Sequence, residues 1–257
     1  MQIEQDLGTK LFQPGESGYE LTSAGAEILD QANHIEAEFS DIDRKIFGQD
    51  TKLSGTLRVT CTEVMANVYL AKHFAKFIDL NPDIDFSVSC TNQHINLNRR
   101  DADIAIRVTY EPQETLAGKR ICDVAVGVYA FRGLAKQFEK ENNTESWKWI
   151  GWQDESYNRM LIQNKFPDAH ISHKVDDMLT MRGMAAEGLG VIALPCYVAE
   201  DEPRLQRLIK QPIYQSHFGL WLVYHPDVRQ VARVRAFVDF ITEIIETDRQ
   251  IFEGRAL

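Results

Sequence analysis

The first fifty residues constrain this chain more than any other stretch. Apolar residues fall at Ile28, Ala32, Ile35, Phe39, Ile42 and Ile46, in steps that alternate between four and three. That seven-residue repeat keeps one narrow apolar seam on the same side of a helix, the geometry of a left-handed coiled coil. Glu27, Asp30, Gln31, Glu36, Glu38, Asp41, Asp43 and Arg44 lie off the seam and can stay in water. So narrow a stripe suits a second helix better than a globular core, and it predicts a dimer zipped through these six positions. Packing of the stripe on the chain's own body is the alternative that three heptads leave open. Thr22 or Ser23 is placed to cap the helix start and Gly48 to stop it.

At 257 residues the chain can hold two modest domains, or one large domain with an appendage. With 44% hydrophobic and 26% charged residues, disorder is not indicated. A net charge of -10 argues against a free-standing nucleic-acid binder. The imbalance is concentrated in residues 1–53, where four basic residues face eleven acidic ones. Cys61, Cys90, Cys122 and Cys196 are widely spaced. They read as single buried thiols in a reducing cytoplasm rather than as disulfides or zinc ligands. No run approaches the roughly 18 apolar residues that span a bilayer. The polar start Met1-Gln2-Ile3-Glu4-Gln5-Asp6 does not read as a secretion signal, so a cytoplasmic location is expected.

Beyond a polar linker at 49–52 the pattern alternates between strand and helix. Thr56–Thr62 reads as a strand. Val64–Phe77 reads as a helix with Val64, Val68, Ala71, Phe74, Ala75 and Ile78 on the buried face. Ile84–Cys90 and Ala102–Val108 read as further strands, with a short helix or loop between them. This order predicts parallel pairing with helices on the faces. Arg120–Phe131 is a long apolar strand that can cross from one lobe to another. Strands at 147–152, 171–175, 191–194 and 220–224, and helices at 134–142, 177–187 and 228–246, complete the expected pattern. Two α/β lobes with a cleft between them is the most economical architecture, with ligands outside the carboxyl ends of the strands.

Several stretches, in order, resemble the LysR-type transcriptional regulators. They are Ile3-Glu4-x-x-Leu7-Gly8-x-x-Leu11-Phe12, Leu21-Thr22-x-Ala24-Gly25, Leu53-Ser54-Gly55-x-Leu57-Arg58-Val59 and Asp103-Ile104-Ala105-Ile106-Arg107. Gly188-Leu189-Gly190-Val191-x-x-Leu194-Pro195 and Val234-Arg235-Ala236-Phe237-Val238-Asp239-Phe240 follow. The resemblance implies an α/β, two-lobed effector domain like the periplasmic binding proteins, preceded by a long dimerisation helix and the remnant of a winged helix-turn-helix. The implied divisions are 1–21 for the end of the recognition helix and the wing, 22–49 for the linker helix, and 54–257 for the effector domain. Within the last, one lobe takes about 54–124 and 213–257 and the other about 125–212.

The resemblance further implies DNA, a small-molecule effector and a homodimer or tetramer as partners, and no membrane, cofactor, metal or enzymatic activity. Relative to the family, about forty residues ahead of Ile3 are missing, and Gln13 stands where an arginine is usual. Gln2, Lys10 and Gln13 are the residual DNA-facing positions. A helix-turn-helix reads bases through the start of its second helix. This chain as given is therefore expected to bind operator DNA poorly, and a ligand-sensing dimer without DNA contact is the alternative function. A solute-binding protein built on the same lobes fits the coiled-coil segment less well.

Seven positions are candidate effector contacts: Thr62, Asn92, Gln93, Arg107, Trp152, Asp176 and Trp221. Thr62 stands at a helix start, where free N–H groups suit an anion, or it simply caps its own helix; Glu63 beside it repels anions. Asn92 and Gln93 follow a strand and can bond a ligand or shape a turn. Arg107 ends an apolar strand and suits a ligand, the opposite lobe, or an ion pair with Asp101 or Asp103. Asp176 and Asp177 precede a helix, and capping suits Asp177. Trp152 and Trp221 lie near strand ends, while Trp147 and Trp149 read as core. His170 and His173 lack zinc-protease spacing, and Gly188 and Gly190 suit close packing rather than phosphate binding.

Overall fold

Leu57, Val59 and Cys61 are all buried at alternate positions of one strand, and that alternation sets the central sheet. The computed structural model describes residues 8–15, 18–32, 35, 53–91, 102–110, 117–135, 146–224 and 231–255. Strand β3 (Gly55–Cys61) lies between β4 (Ile84–Cys90) and β5 (Ile104–Thr109), parallel to both. β11 (Tyr214–Tyr224) runs antiparallel to β5, and β6 (Ala117–Phe131) runs antiparallel to β11. From Val126, which pairs both Tyr214 of β11 and Pro195, the same β6 changes neighbours. Its far half pairs with β9 (Ile192–Pro195) and β10 (Leu205–Arg207). A parallel pair, β7 (Lys148–Trp152) and β8 (His170–Val175), joins this second group through a bridge from Trp149 to Val191. The α/β class and the parallel pairing expected from the alternation are both present.

Aromatic packing fastens the helices to β3–β4–β5. Helix α6 (Ala232–Thr247) buries Phe237, whose ring meets Phe77 edge-on at 5.1 Å and lies 5.5 Å from Phe86 and 6.2 Å from Phe74. Helix α2 (Ala71–Leu80) supplies Phe74 and Phe77. It continues the helical turns Glu63–Met65 and Ala66–Leu70, and in the second of these Ala71 N–H bonds Ala66 O, one residue wider than an α-turn. The inward face expected for this helix needs correction. Val64 and Phe74 are buried as expected, but Ala71, Ala75 and Ile78 are exposed, and Met65, Tyr69, Leu70 and Phe77 point inward instead. An extra residue in the wide turn moves the inward face by about one position, which a constant 3.6-residue period does not anticipate.

The second group is closed by short helices: α3 (Glu155–Asn158), α4 (Met178–Ala186) and α5 (Cys196–Ala199). Asp177 caps α4, accepting from Thr180 N–H at 2.7 Å. Gly188 follows α4 with φ +82, a left-handed stop rather than a packing contact. A Cβ at Gly190 would meet Lys148 O at 2.5 Å, so there the expectation of close approach is correct. A buried ion pair, Arg207 with Glu200, also holds the tail after α7 (Arg249–Phe252), since Arg207 Nη1 donates to Gly254 O at 2.9 Å. Strands and helices that the sequence pattern did not announce are α3, α5, α7, β10 and the first half of β11.

At the front, β1 (Phe12–Gly15) and β2 (Gly18–Leu21) form an antiparallel hairpin. Thr22 is the cap of the helix over 23–32, labelled α1. Its hydroxyl accepts from Gly25 N–H at 3.0 Å and donates to Lys10 O at 2.7 Å. A Cβ at residue 25 would sit 2.1 Å from Leu11 O, so only glycine lets the helix start lie against the hairpin. Within the seam, Ile28 and Ile35 are 39% and 59% exposed and Ala32 is exposed too. Phe39, Ile42 and Ile46 lie outside the described residues. The cysteine reading also needs correction. Cys61, Cys122 and Cys196 are buried, but Cys90 is exposed and lies in register with Cys61 across β3–β4. A separation of 29 residues hides a contact made by parallel pairing.

Truncating Phe237 to alanine removes the ring on which Phe74, Phe77 and Phe86 converge. Phe237→Ala is expected to cost about 3–5 kcal/mol, read as a lowered midpoint in urea unfolding with an unchanged slope.

Candidate effector-binding site

Parallel strands leave their carboxyl ends free where helices begin, and side chains there face whatever lies outside the sheet. Thr62 follows β3, and its hydroxyl accepts from Met65 N–H at 3.4 Å, a long capping bond at the start of the helix. Glu63 beside it is exposed. The structure thus gives Thr62 the capping role. Asn92 and Gln93, which follow β4, lie outside the described residues.

Arg107 is half-buried near the end of β5. Its Nη2 donates to Thr60 Oγ1 at 3.0 Å and its Nη1 to Ile106 O at 3.0 Å. Both acceptors are neutral. Asp103, one of the two expected ion-pair partners, instead accepts from Arg58 N–H at 2.8 Å, and Asp101 lies outside the described residues. The pairing with Asp103 is therefore absent: Asp103 turns back onto the neighbouring strand. Burial pulls the Arg107 guanidinium below its ordinary pKa, and the nearby Cys61 and Cys90 thiols act in the opposite direction. A half-buried cation whose described partners are all neutral has capacity left for an anion.

Trp221 is in register with Arg107 on one side and Arg120 on the other. The Arg120 guanidinium lies 5.9 Å from the Trp221 ring and is also tied to Asp123 at 2.7 Å. Trp221 Nε1 is buried, with no hydrogen-bond partner among the described residues. Thr60, Arg107, Trp221 and Arg120 thus form one lateral row across β3, β5, β11 and β6. Its donors are two guanidinium groups and an indole N–H, a set that suits a carboxylate or phosphate.

Trp152 and Asp176 form a second group, at the neighbouring ends of β7 and β8. Trp152 is pinned by a buried asparagine: its N–H donates to Asn158 Oδ1 at 2.6 Å, and its carbonyl accepts from Asn158 Nδ2 at 2.7 Å. Its ring leans on Tyr157 at 5.7 Å. Asp176 is exposed. Tyr110, just past β5, reaches the same region, and its hydroxyl donates to Met160 Sδ at 2.9 Å. Sequence reasoning passed over Thr60, Arg120, Tyr110 and Asn158. Only Arg120 carried a signal, as a charge within an apolar strand.

Of the positions expected from the sequence to face DNA, Lys10 is exposed before the hairpin, and Gln13 is exposed on β1 opposite Glu20. Gln2 lies outside the described residues. No helix of the described residues is long and apolar enough to cross a membrane, and no cluster of His, Cys, Asp or Glu among them could hold a metal ion.

Residues 50–245 match the family model described as the LysR substrate binding domain. The chain belongs to the LysR substrate-binding-domain family. Among its LysR relatives is the HTH-type transcriptional regulator y4mQ of Sinorhizobium fredii, 24% identical over 94% of this chain and 83% of that protein. The HTH-type transcriptional regulator CrgA of Neisseria meningitidis is also 24% identical, over 94% of this chain and 84% of its own length. The solved structure of CrgA, a LysR-type transcriptional regulator, superposes with a TM-score of 0.64 at 22% identity, covering 95% of this chain and 86% of the other. The LysR fold is thus shared over nearly the whole chain.

Asn158 is the support on which the Trp152 position in this LysR domain rests. Asn158→Ala leaves the part-buried N–H and carbonyl of Trp152 without this partner, and it is expected to cost about 1–3 kcal/mol. Thermal unfolding reads the loss of stability, and a changed Trp152 fluorescence in the folded state reads the displaced ring.

Proposed function

We propose that this chain is a ligand-responsive LysR-type transcriptional regulator whose effector carries a negative charge. Two lobes, about 54–124 with 213–257 and about 125–212, close around the ligand in this reading. The row formed by Thr60, Arg107, Trp221 and Arg120 takes the anionic end, and the side carrying Trp152 and Asp176 takes the remainder. The observation that carries the reading is Arg107, a half-buried guanidinium held only by a hydroxyl and a carbonyl among the described residues. An objection from Glu63 applies to the helix start at Thr62 and not to this row.

The hairpin β1–β2 plays the wing in this reading, with Lys10 and Gln13 exposed on or beside it. The exposed Ile28, Ala32 and Ile35 form the start of the dimer seam. Apolar side chains at helical spacing on a polar helix are the pattern expected of a face awaiting a partner helix.

Small carboxylic acids, each paired with its neutral amide, test the charge. The acids are expected to raise the melting temperature in proportion to the logarithm of their concentration, and the amides are not. Arg107→Met is expected to weaken binding at least tenfold, about 1.4 kcal/mol. Equal binding of acid and amide, or an unaltered Arg107→Met, rules the anionic effector out. For the seam, Ile35→Asp is expected to weaken self-association at least tenfold, about 1.4 kcal/mol, without changing the far-UV spectrum. Sedimentation equilibrium across the micromolar range reads it, and a wild-type chain that sediments as a monomer there refutes the seam.

A further inference from the structure

Among the described residues, one pair of cysteines is adjacent with one member open to solvent. Cys61 and Cys90 are the last residues of β3 and β4 and are register partners in a parallel pair. Neighbouring strands lie about 4.8 Å apart, within the Cα separation of about 4.4–6.8 Å that a disulfide bridges. The partners before them, Leu57 with Phe86 and Val59 with Val88, put the two cysteines on the same face of the sheet. The two thiols lie close enough to act on one another, and Cys90 is open to solvent while Cys61 is buried. The Arg107 guanidinium lies close enough to act on both. An exposed thiol next to a second thiol that can resolve it is the setting in which oxidation closes a disulfide.

We propose that Cys61 and Cys90 form a hydroperoxide-responsive dithiol that closes to a disulfide between the ends of β3 and β4. This inference stands apart from the nature of the effector. Cys90, as thiolate, attacks the terminal oxygen of the hydroperoxide. The O–O bond breaks, the alcohol leaves, and Cys90 becomes a sulfenic acid. Cys61 Sγ then attacks Cys90 Sγ. The S–S bond forms, the S–O bond breaks, and the departing hydroxide takes up the Cys61 proton as water. Two thiols lose two electrons, and one hydroperoxide is reduced to an alcohol and water.

Cys122 and Cys196 are internal controls. Burial pushes the Cys122 thiol up to about 12 and the Cys196 thiol up to about 11, so both stay protonated and unreactive. Burial likewise pushes Cys61 up to about 12, which leaves the first attack to exposed Cys90 and the second to Cys61.

The test treats the full chain with hydrogen peroxide, alkylates the remaining thiols in denaturant, and maps peptides by mass spectrometry without reductant. The expected product is a linked peptide pair containing Cys61 and Cys90, with Cys122 and Cys196 alkylated, and dithiothreitol reverses it. In Cys61→Ser, Cys90 is expected to stop at a dimedone-reactive sulfenic acid. In Cys90→Ser, Cys61 is expected to remain alkylatable. Circular dichroism verifies that both variants are folded. Sulfonic acid at Cys90 with Cys61 still alkylated in the wild-type chain overturns the proposal. So does a Cys90–Cys90 link between chains, or oxidation of Cys122 as fast as that of Cys90.

Discussion

Both halves of the molecule hang on the backbone ladder of β6. Over its first half this strand bonds β11, and over its second it bonds β9 and β10. From Ile121 to Ala130 every residue except Asp123 is buried, so water cannot satisfy the peptide groups and the neighbouring strands must. The change of partner near Val126 lets one strand serve two groups without a break in its hydrogen bonding. β11 follows this with an irregular register between Tyr214 and Phe218. At that point Tyr110 stacks on Phe218 at 4.6 Å, filling the corner where the groups meet.

The same connection brings unlike chemistry together at the ends of β3, β4 and β5. Arg107 is near enough to the Cys61–Cys90 pair to be influenced by it, bonds Thr60, and neighbours Trp221 across the sheet. Thr60 links two of these neighbours, since its hydroxyl also donates to Ser89 O on β4. A half-buried charge supported by neutral dipoles is sensitive to whatever approaches it, because little else screens it. In the proposed function and the proposed thiol chemistry, ligand charge and thiol state would both act on one guanidinium.

Much of this was legible in the sequence. The apolar residues of β3 alternate, those of β6 run nearly unbroken, and both patterns report burial directly. The Thr22 and Asp177 caps were legible because capping needs a particular side chain at a particular step. The inward face of α2 was not, because the wide turn at Ala66–Leu70 adds a residue that no composition signals. Nor was the choice between a ligand role and an acidic partner for Arg107, which turned on where Asp103 points. Asn158 illustrates the limit: a polar residue in a short helix gives no hint that it clamps both backbone groups of Trp152.

The sequence by itself determined the class of fold, the order of most of the longer strands and helices, and the apolar stripe at the front, since each follows from periodicity along one chain. Tertiary structure decided which residues meet. The row across β3, β5, β11 and β6 draws Thr60, Arg107, Arg120 and Trp221 from separated segments, and the thiol pair depends on parallel register between strands joined by a helix. Pairing between strands is set by burial and hydrogen bonding of whole elements. It leaves no trace in the spacing of the residues it brings together.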